Sequence, residues 1–503
     1  MREGCSGTRW TAWTLIGLVA ACSPEDGGPD GDATHDGEED DGGADGDATH
    51  DGEDVLGDET APEAGDVPED AGPPPAVYVH PEGDDADPGT FERPVRTFDR
   101  ALALWRPGLE IRAFGGVFEQ RLDVALAGTA DRPLRVLPVA GEAPVIDTRT
   151  VPGGQSVRLE GAFVEVEGFE VRSSENQCVV ASGSDLVLRG LHVHDCVSHG
   201  VLIEGTRVRA EGLVIHDTVL ENEGGSGGGW GSALKVQVGG DGVELVRNRV
   251  FHNWGEGIAV TRGSNVAVRE NRVYDNFSVN IYIDNSYEVT VEGNFTFCTE
   301  GSGYEREGRR ATAISLGEEF YDGWGAQLHD VVVRNNIAWS CDRGFGYWGS
   351  DVGGDFRDVA IVHNTFWGSV TTALSIEHGA LPAHGIAIAG NLVGQPDDRL
   401  AWIDDAAGFE LSGNFWAGTP PATASGPGDR SGDPGFAAEP AATAASFRLG
   451  ESSAARDGAE ARTDAPVDFE GTARSTVESP AADMGAMEYK DPSLPCAFDA
   501  LWE

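Results

Sequence analysis

The chain has 503 residues and a formal charge of −50, with 85 acidic residues against 35 basic ones. That imbalance argues against nucleic acid as a partner, because a polyanion needs a basic surface. Only two of the 35 basic residues are lysines, Lys235 and Lys490, and the length suits either two or three average domains or one long repeat unit.

At the N-terminus, Arg2 and Arg9 precede the apolar run WTAWTLIGLVAAC, which is too short to span a bilayer as a mature helix, so residues 1–22 are expected to be an export signal. Its ending VAAC resembles a bacterial lipobox. That resemblance implies acylation of Cys22 and a chain exported and lipid-anchored to the outer membrane or cell surface, with Ser23 standing where Asp commonly retains lipoproteins at the inner membrane. An ordinary cleaved signal is the alternative. Between Ser23 and Pro75 there are 20 acidic residues and no Lys or Arg. This stretch repeats DGDATHDGE and holds too few large apolar side chains to bury a core, so residues 23–75 are expected to form a solvated, self-repelling tether. Its Asp-Gly pairs lack EF-hand spacing.

From Val77 onward the chain alternates apolar and polar residues in strand-length pieces. Segments such as VELVRNRVFHN, VAVRENRVYDN and VVVRNNIAW share one frame, aligned on Asn248, Asn271, Asn294, Asn336, Asn364, Asn391 and Asn414. Earlier copies put Phe169, Leu191 and Leu213 at that place. Five and three residues before it, all ten copies carry apolar residues, Val266 and Val268 among them. The base step is 22 or 23 residues, with no helical period, which predicts one coil of a parallel β-solenoid rather than a leucine-rich repeat. The Asn column is expected to form a structural ladder in the turn. Phe251, Tyr274, Phe297, Trp339 and Trp367, three residues further on, are expected to stack as a second column.

The pattern resembles the right-handed parallel β-helix, or pectate-lyase-like, superfamily. The segment Tyr78–Phe118 looks like the opening of secreted β-helix proteins: a strand, a DPGT turn, then an amphipathic helix whose Phe98, Ala101, Leu102 and Trp105 plug the open end. GDPGF, FRL and VDFEGTARSTVESPAADMGAMEY look like the tail that closes many of them. The resemblance implies an all-β right-handed parallel β-helix of about ten to twelve coils. It assigns residues 76–157 to the cap and first coils, 158–417 to the core and 418–503 to the closing segment, and a monomer is expected.

Within a coil, a further strand begins about nine residues after the Asn column, with inward pairs such as Ile258/Val260 and Ile281/Ile283. Their outward neighbours form two columns. One runs Leu202, Lys235, Ala259, Tyr282, Ser315, Ser375, and the other Glu204, Gln237, Thr261, Asp284, Gly317, Glu377. Insertions rise beside this face: EGGSGGGWGS with Trp230, EGSGYEREGRR with Tyr304, Arg306, Arg309 and Arg310, and GEEFYDGWG with Glu318, Glu319, Tyr321, Asp322 and Trp324. They predict a groove floored by Lys235, Gln237, Thr261, Tyr282 and Asp284, in which Lys235 and Tyr282 are about 10 Å apart, two coil spacings. Aromatic rims over a polar floor suit a polysaccharide. In the superfamily, lyases use Lys or Arg as the base that removes the proton beside a uronate carboxylate, and calcium or Arg neutralises that carboxylate. The resemblance implies Lys235 as base, with Tyr282, Arg309 and Arg310 in the catalytic group. The flap arginines are expected to favour the neutral amine and to hold the carboxylate.

ALKVQVGGDGVELVRNRVFHNWGEGI resembles the family-nine pectate lyases around their calcium site. The paired Asp of those enzymes is replaced by HNWGEG, leaving Glu256 with Asp284 as the candidate metal ligands. Two other readings stay open: a glycoside hydrolase or epimerase, the former using Asp284 with Glu318 or Glu319, and a non-catalytic glycan-binding or structural surface protein. Asp397/Asp398 and Asp404/Asp405 are expected to be turn residues. Cys178, Cys196, Cys298, Cys341 and Cys496 lie in an oxidising setting, with neither a CxxC motif nor regular His spacing, which argues against a zinc site. Cys298 and Cys341 fall on adjacent coils, where a disulfide is geometrically allowed.

Overall fold

The computed structural model describes residues 75–502, apart from 322, 326, 350–355, 380–381, 397–398 and 475–480. The export signal with Cys22, the acidic segment before Pro75, and Asp322, Asp397 and Asp398 lie outside the described residues. No helix among those described is long and apolar enough to cross a membrane.

Each coil contributes one strand to each of three parallel sheets of 13, 11 and 13 strands, which makes the molecule an all-β parallel β-helix. In one coil, Ser184–Arg189 belongs to the first sheet, His192–Cys196 to the third and Val201–Ile203 to the second, before Thr206–Glu211 returns to the first. The register follows the sequence repeat. Leu186 pairs with Val208, and Val266 with Val289. The inward residues of successive coils, such as Val243, Val266, Val289 and Val331, are almost wholly buried and run as one core along the axis. Their burial removes apolar surface from water, at roughly 1.5–3 kcal/mol per large aliphatic side chain.

The Asn ladder is complete. The backbone N–H of Asn248 donates to Asn271 Oδ1 at 2.9 Å, and the same step repeats through Asn294, Asn336, Asn364 and Asn391 to Asn414 at 2.9–3.0 Å. Each buried amide therefore satisfies turn N–H groups that have no ladder partner of their own. The aromatic column stacks with nearly parallel rings from Phe251 to Tyr274 (5.0 Å) and from Tyr274 to Phe297 (4.5 Å), but the expected stack does not continue: Trp339 tilts 44° from Phe297 at 6.3 Å, and Trp367 packs edge-on against Phe436 of the C-terminal segment.

At the N-terminal end, Phe98–Leu104 forms the capping helix, with the Thr97 side chain accepting from the Arg100 N–H and with Phe98, Ala101 and Leu102 buried. At the other end, Arg430–Ser431 adds the last strand of the third sheet. The remaining C-terminal residues do more than close the end. They turn back along the third sheet and cover its outward aromatic column, with Phe447, Phe469, Ala486, Met487 and Phe498 buried together with Tyr274, Phe295 and Phe297. An outward apolar column cannot stay in water, and this segment covers it. Disulfides join Cys178 to Cys196 and Cys298 to Cys341, while Cys496 is a buried free thiol.

Candidate functional site

The outward face of the second sheet carries the two predicted columns, with one insertion. Leu202, Lys235, Ala259, Tyr282 and Ser315 follow in register, and Gly346 then precedes Ser375. In the other column Trp348 stands between Gly317 and Glu377. The strand Arg343–Gly349 escaped the sequence pattern because it fills its two inward places with Phe345 and Tyr347 instead of aliphatic residues.

Both Gly-containing flaps rise over this face on the same side. The Arg306 guanidinium lies 4.7 Å from the ring centre of Trp230. Beneath them is a cleft of about 320 Å³. It brings together Trp230, Glu256, Tyr282, Arg306, Arg309, Arg310, Ser315 and Glu319 of the residues named from the sequence, and adds Arg343 and Trp348. Arg306 and Arg309 exchange backbone hydrogen bonds at 2.9 and 3.0 Å, which closes the flap into a tight loop. Arg310 is anchored to the Ser340 carbonyl at 2.9 Å and to Glu300 at 3.2 Å.

Tyr282 is almost fully buried and runs nearly parallel to Trp348, with ring centres 6.3 Å apart. It reaches that position because residue 317 is glycine: a Cβ there would come within 2.4 Å of the Tyr282 hydroxyl oxygen. The hydroxyl donates to Glu319 Oε1 at 3.1 Å. Tyr321 donates to Asp284 Oδ2 and, at 3.3 Å, to Glu319 Oε2, and the Glu319 N–H donates to Asp284 Oδ1 at 3.0 Å. Burial pushes the Asp284 carboxyl up to about 7, against these hydrogen bonds. Burial likewise raises Glu256, opposed by the Lys235 charge and by hydrogen bonds from Ser232 Oγ at 2.6 Å and Trp230 Nε1 at 2.9 Å.

Several expected residues lie elsewhere. Half-buried Lys235 is one column step from Ala259 and two from Tyr282, outside the cleft lining, and its charge acts on Glu256 and on His199, which burial lowers to about 4. The flap arginines line the cleft instead, and the groups on which the amine's charge acts are Glu256 and His199. Gln237 donates to Glu204 at 2.9 Å, and Thr261 and Asp284 are buried. Tyr304 leaves the cleft to stack on His252 at 4.9 Å and to donate to Asp217 at 3.1 Å. Tyr321 and Trp324 pack over the Arg262 guanidinium, 4.4 and 5.9 Å from it.

Calcium does not fit Glu256 and Asp284. Both carboxyl groups already accept N–H or O–H donors on each oxygen, and among the described residues they form no cluster with a third ligand. The hydrolase pair also changes. Asp284 and Glu319 share the Tyr321 hydroxyl, so no sugar fits between them, and Glu318 is buried under donors from Tyr347 and Leu328.

The family model described as "Pel9A-like, right handed beta helix region" matches residues 77–346. Among solved structures, pectate lyase Pel9A superposes with a TM-score of 0.50 at 14% identity, covering 82% of this chain and 96% of that one. XylC in complex with xylose gives 0.57 at 10% identity, covering 83% and 98%. An alginate lyase from Paenibacillus gives 0.44 at 14% identity, covering 62% and 95%. No curated protein matches the chain.

Proposed function

Because the chain belongs to the Pel9A-like right-handed β-helix family, we propose that it is a polysaccharide lyase-like enzyme acting by β-elimination on a uronate-containing polysaccharide. The observation that carries this reading is the cleft itself. Arg306, Arg309, Arg310 and Arg343 line it with Trp230, Tyr282 and Trp348, alongside the carboxyls of Glu256, Glu307, Glu319 and Asp342. A planar guanidinium pairs with a carboxylate through two N–H donors, and aromatic faces pack on sugar rings. A glycan leaving the cleft along the sheet passes over the small Ala259 to Lys235.

In the proposed step the Lys235 amine takes the proton from the ring carbon bearing the carboxylate. The freed electron pair forms the carbon–carbon double bond, and the glycosidic oxygen leaves with the other half of the chain. The cleft arginines hold the carboxylates of neighbouring uronates and so set the chain in register over the amine. A hydrolytic reading is favoured by one feature, the carboxyls of Glu256 and Glu319 lining the same cleft.

Incubation with a panel of polyuronates and neutral glycans, with and without calcium, separates these readings. Lyase action gives ultraviolet-absorbing unsaturated ends, and Lys235→Ala lowers their release by roughly 10²–10⁴-fold, the usual contribution of a general base. New reducing ends without absorbance mean hydrolysis, and retention without product means binding alone. We also propose surface anchoring through acylated Cys22. The motif VAAC supports it, and the mass of the mature N-terminal peptide, with or without lipid, tests it.

A further inference from the structure

On the third sheet, away from the cleft of the second, two successive coils present imidazoles, and the coil before them a carboxylate, to one place. The register sets His192 beside Glu170 and Val214, and His194 between Arg172 and His216. One ligand atom from each of Glu170, His192 and His194 lies within 4.8 Å of the others. His216 borders this group: its Nε2 is 2.8 Å from His192 Nε2, and its ring lies parallel to that of His194 with centres 5.2 Å apart, so it reaches a shared ion only by turning toward Glu170 and His194. All of these side chains are partly exposed.

The outer nitrogens are already engaged. His194 Nδ1 faces Asp195 Oδ2 at 3.0 Å, and His216 Nδ1 faces Asp217 Oδ2 at 2.8 Å. A carboxylate facing Nδ1 orients each ring, as it does for histidine ligands on metals, and turns the Nε2 atoms inward, where His194 Nε2 lies 3.3 Å from Glu170 Oε1 and His216 Nε2 2.8 Å from His192 Nε2. Asp195 and Asp217 adopt positive φ of 55° and 49°. The strand carrying His192 and His194 ends at Cys196, fixed by its disulfide to Cys178.

These three coils also differ from their neighbours. His194 and His216 occupy the column that becomes Phe251, Tyr274 and Phe297 further along, with His216 stacked 5.1 Å from Phe251. Aromatic carbon alone would satisfy that stack. Ring nitrogens aimed at one another and at a carboxylate do not serve stacking.

We propose that Glu170, His192, His194 and His216 form a zinc-binding site that ties three successive coils together. Three imidazoles and one carboxylate are a donor set for a tetrahedral divalent ion of intermediate softness. Bonds of about 2.0–2.1 Å set ligand nitrogens roughly 3.3 Å apart, so binding opens the His192–His216 contact by a small rotation of half-exposed rings. Glu170 turns from Arg172 toward the ion, and Arg172 keeps its bond to Asp147 at 2.9 Å.

The test uses the full chain, zinc chloride and a chromophoric chelator competing for the ion. Wild type takes up one equivalent that His192→Ala and the double substitution His194→Phe/His216→Phe weaken by about tenfold or more, and Asp217→Asn weakens by roughly 10–100-fold. The phenylalanines keep the stack and remove only the nitrogens, so loss of zinc in a chain with unchanged circular dichroism reports ligation. His329→Ala serves as the control, since that histidine makes the same contact with its neighbour Asp330, at 2.7 Å, outside the cluster. Zinc also raises the melting temperature of wild type and not of the Phe pair. The proposal is overturned if wild type binds no zinc, or if His192→Ala and the Phe pair bind it as tightly as wild type does.

Discussion

Asp284 shows how a single buried carboxyl can be read through pH. Its ordinary value is 3.8 and burial raises it to about 7. The unfolded chain therefore releases this proton near pH 4 and the folded chain only near pH 7. Its contribution to stability is unopposed below pH 4, falls as the pH rises from 4 to 7, and is about 4 kcal/mol lower above 7. Asp284→Asn removes that dependence. The melting temperature of the variant relative to wild type is expected to climb between pH 4 and pH 7 and then stay level, which thermal melts across that range will measure. A variant that tracks wild type in parallel at every pH would mean that Asp284 is ionised in the folded protein. At the same scale, the Lys235→Ala assay asks whether a half-buried amine beside Glu256 does chemistry.

Among elements, the Asn ladder makes the most definite forecast. Asn336 accepts from both the backbone and the side-chain N–H of Asn294, and its own Nδ2 donates to Val291 O and Asn364 Oδ1. Asn336→Ala takes the partner from the two Asn294 donors and from the Val291 carbonyl on the preceding coil, while Asn364 Oδ1 keeps the Asn336 backbone N–H. Each group left without a partner costs about 1–3 kcal/mol, so a loss on the order of 3 kcal/mol is expected in denaturant titration. Asn336→Asp keeps the acceptor but sets a buried carboxyl oxygen against Val291 O, Arg334 O and Asn364 Oδ1, so at neutral pH it is expected to lose at least as much as Ala. The turn at Leu213, where an apolar side chain takes the ladder place, still closes the series, because its N–H donates to Asn248 Oδ1 at 3.0 Å. The two flaps behave differently from the ladder: they rest on a few specific contacts, such as Trp230 with Glu256 and Arg306.

For the whole molecule, the coils are held by neighbours only, so links that skip along the chain matter most. The Cys298–Cys341 disulfide closes a loop of 43 residues across the second flap, and the chain-entropy relation makes it worth about 4 kcal/mol. Reduction is expected to lower the melting temperature by several degrees and to expose the flap to protease first, which limited proteolysis with and without reductant will show. The C-terminal segment also skips across coils. Buried Arg474 donates to Asn335 and to Glu488, each at 2.7 Å. The architecture itself was legible at sequence level. A 22- or 23-residue step with period-two alternation allows one outcome, since a one-residue slip would turn every core side chain to solvent. The Asn ladder and the stack of Phe251, Tyr274 and Phe297 follow from that register, and the capping helix from the apolar spacing of Phe98, Ala101, Leu102 and Trp105. What the one-dimensional pattern determines by itself is therefore which residues share a column. Only the folded chain decides what the flaps do with them, because their contacts have no period. It sends Tyr304 to His252, draws Tyr282 down over Gly317, and fills the cleft wall with Trp348 from a coil whose core is aromatic. The histidine cluster was hidden for a related reason. Its donor atoms come from three coils about 22 residues apart, an oxygen from the first and nitrogens from the next two, and that separation carries no metal-site signature until parallel stacking reduces each step to one strand spacing of about 4.8 Å.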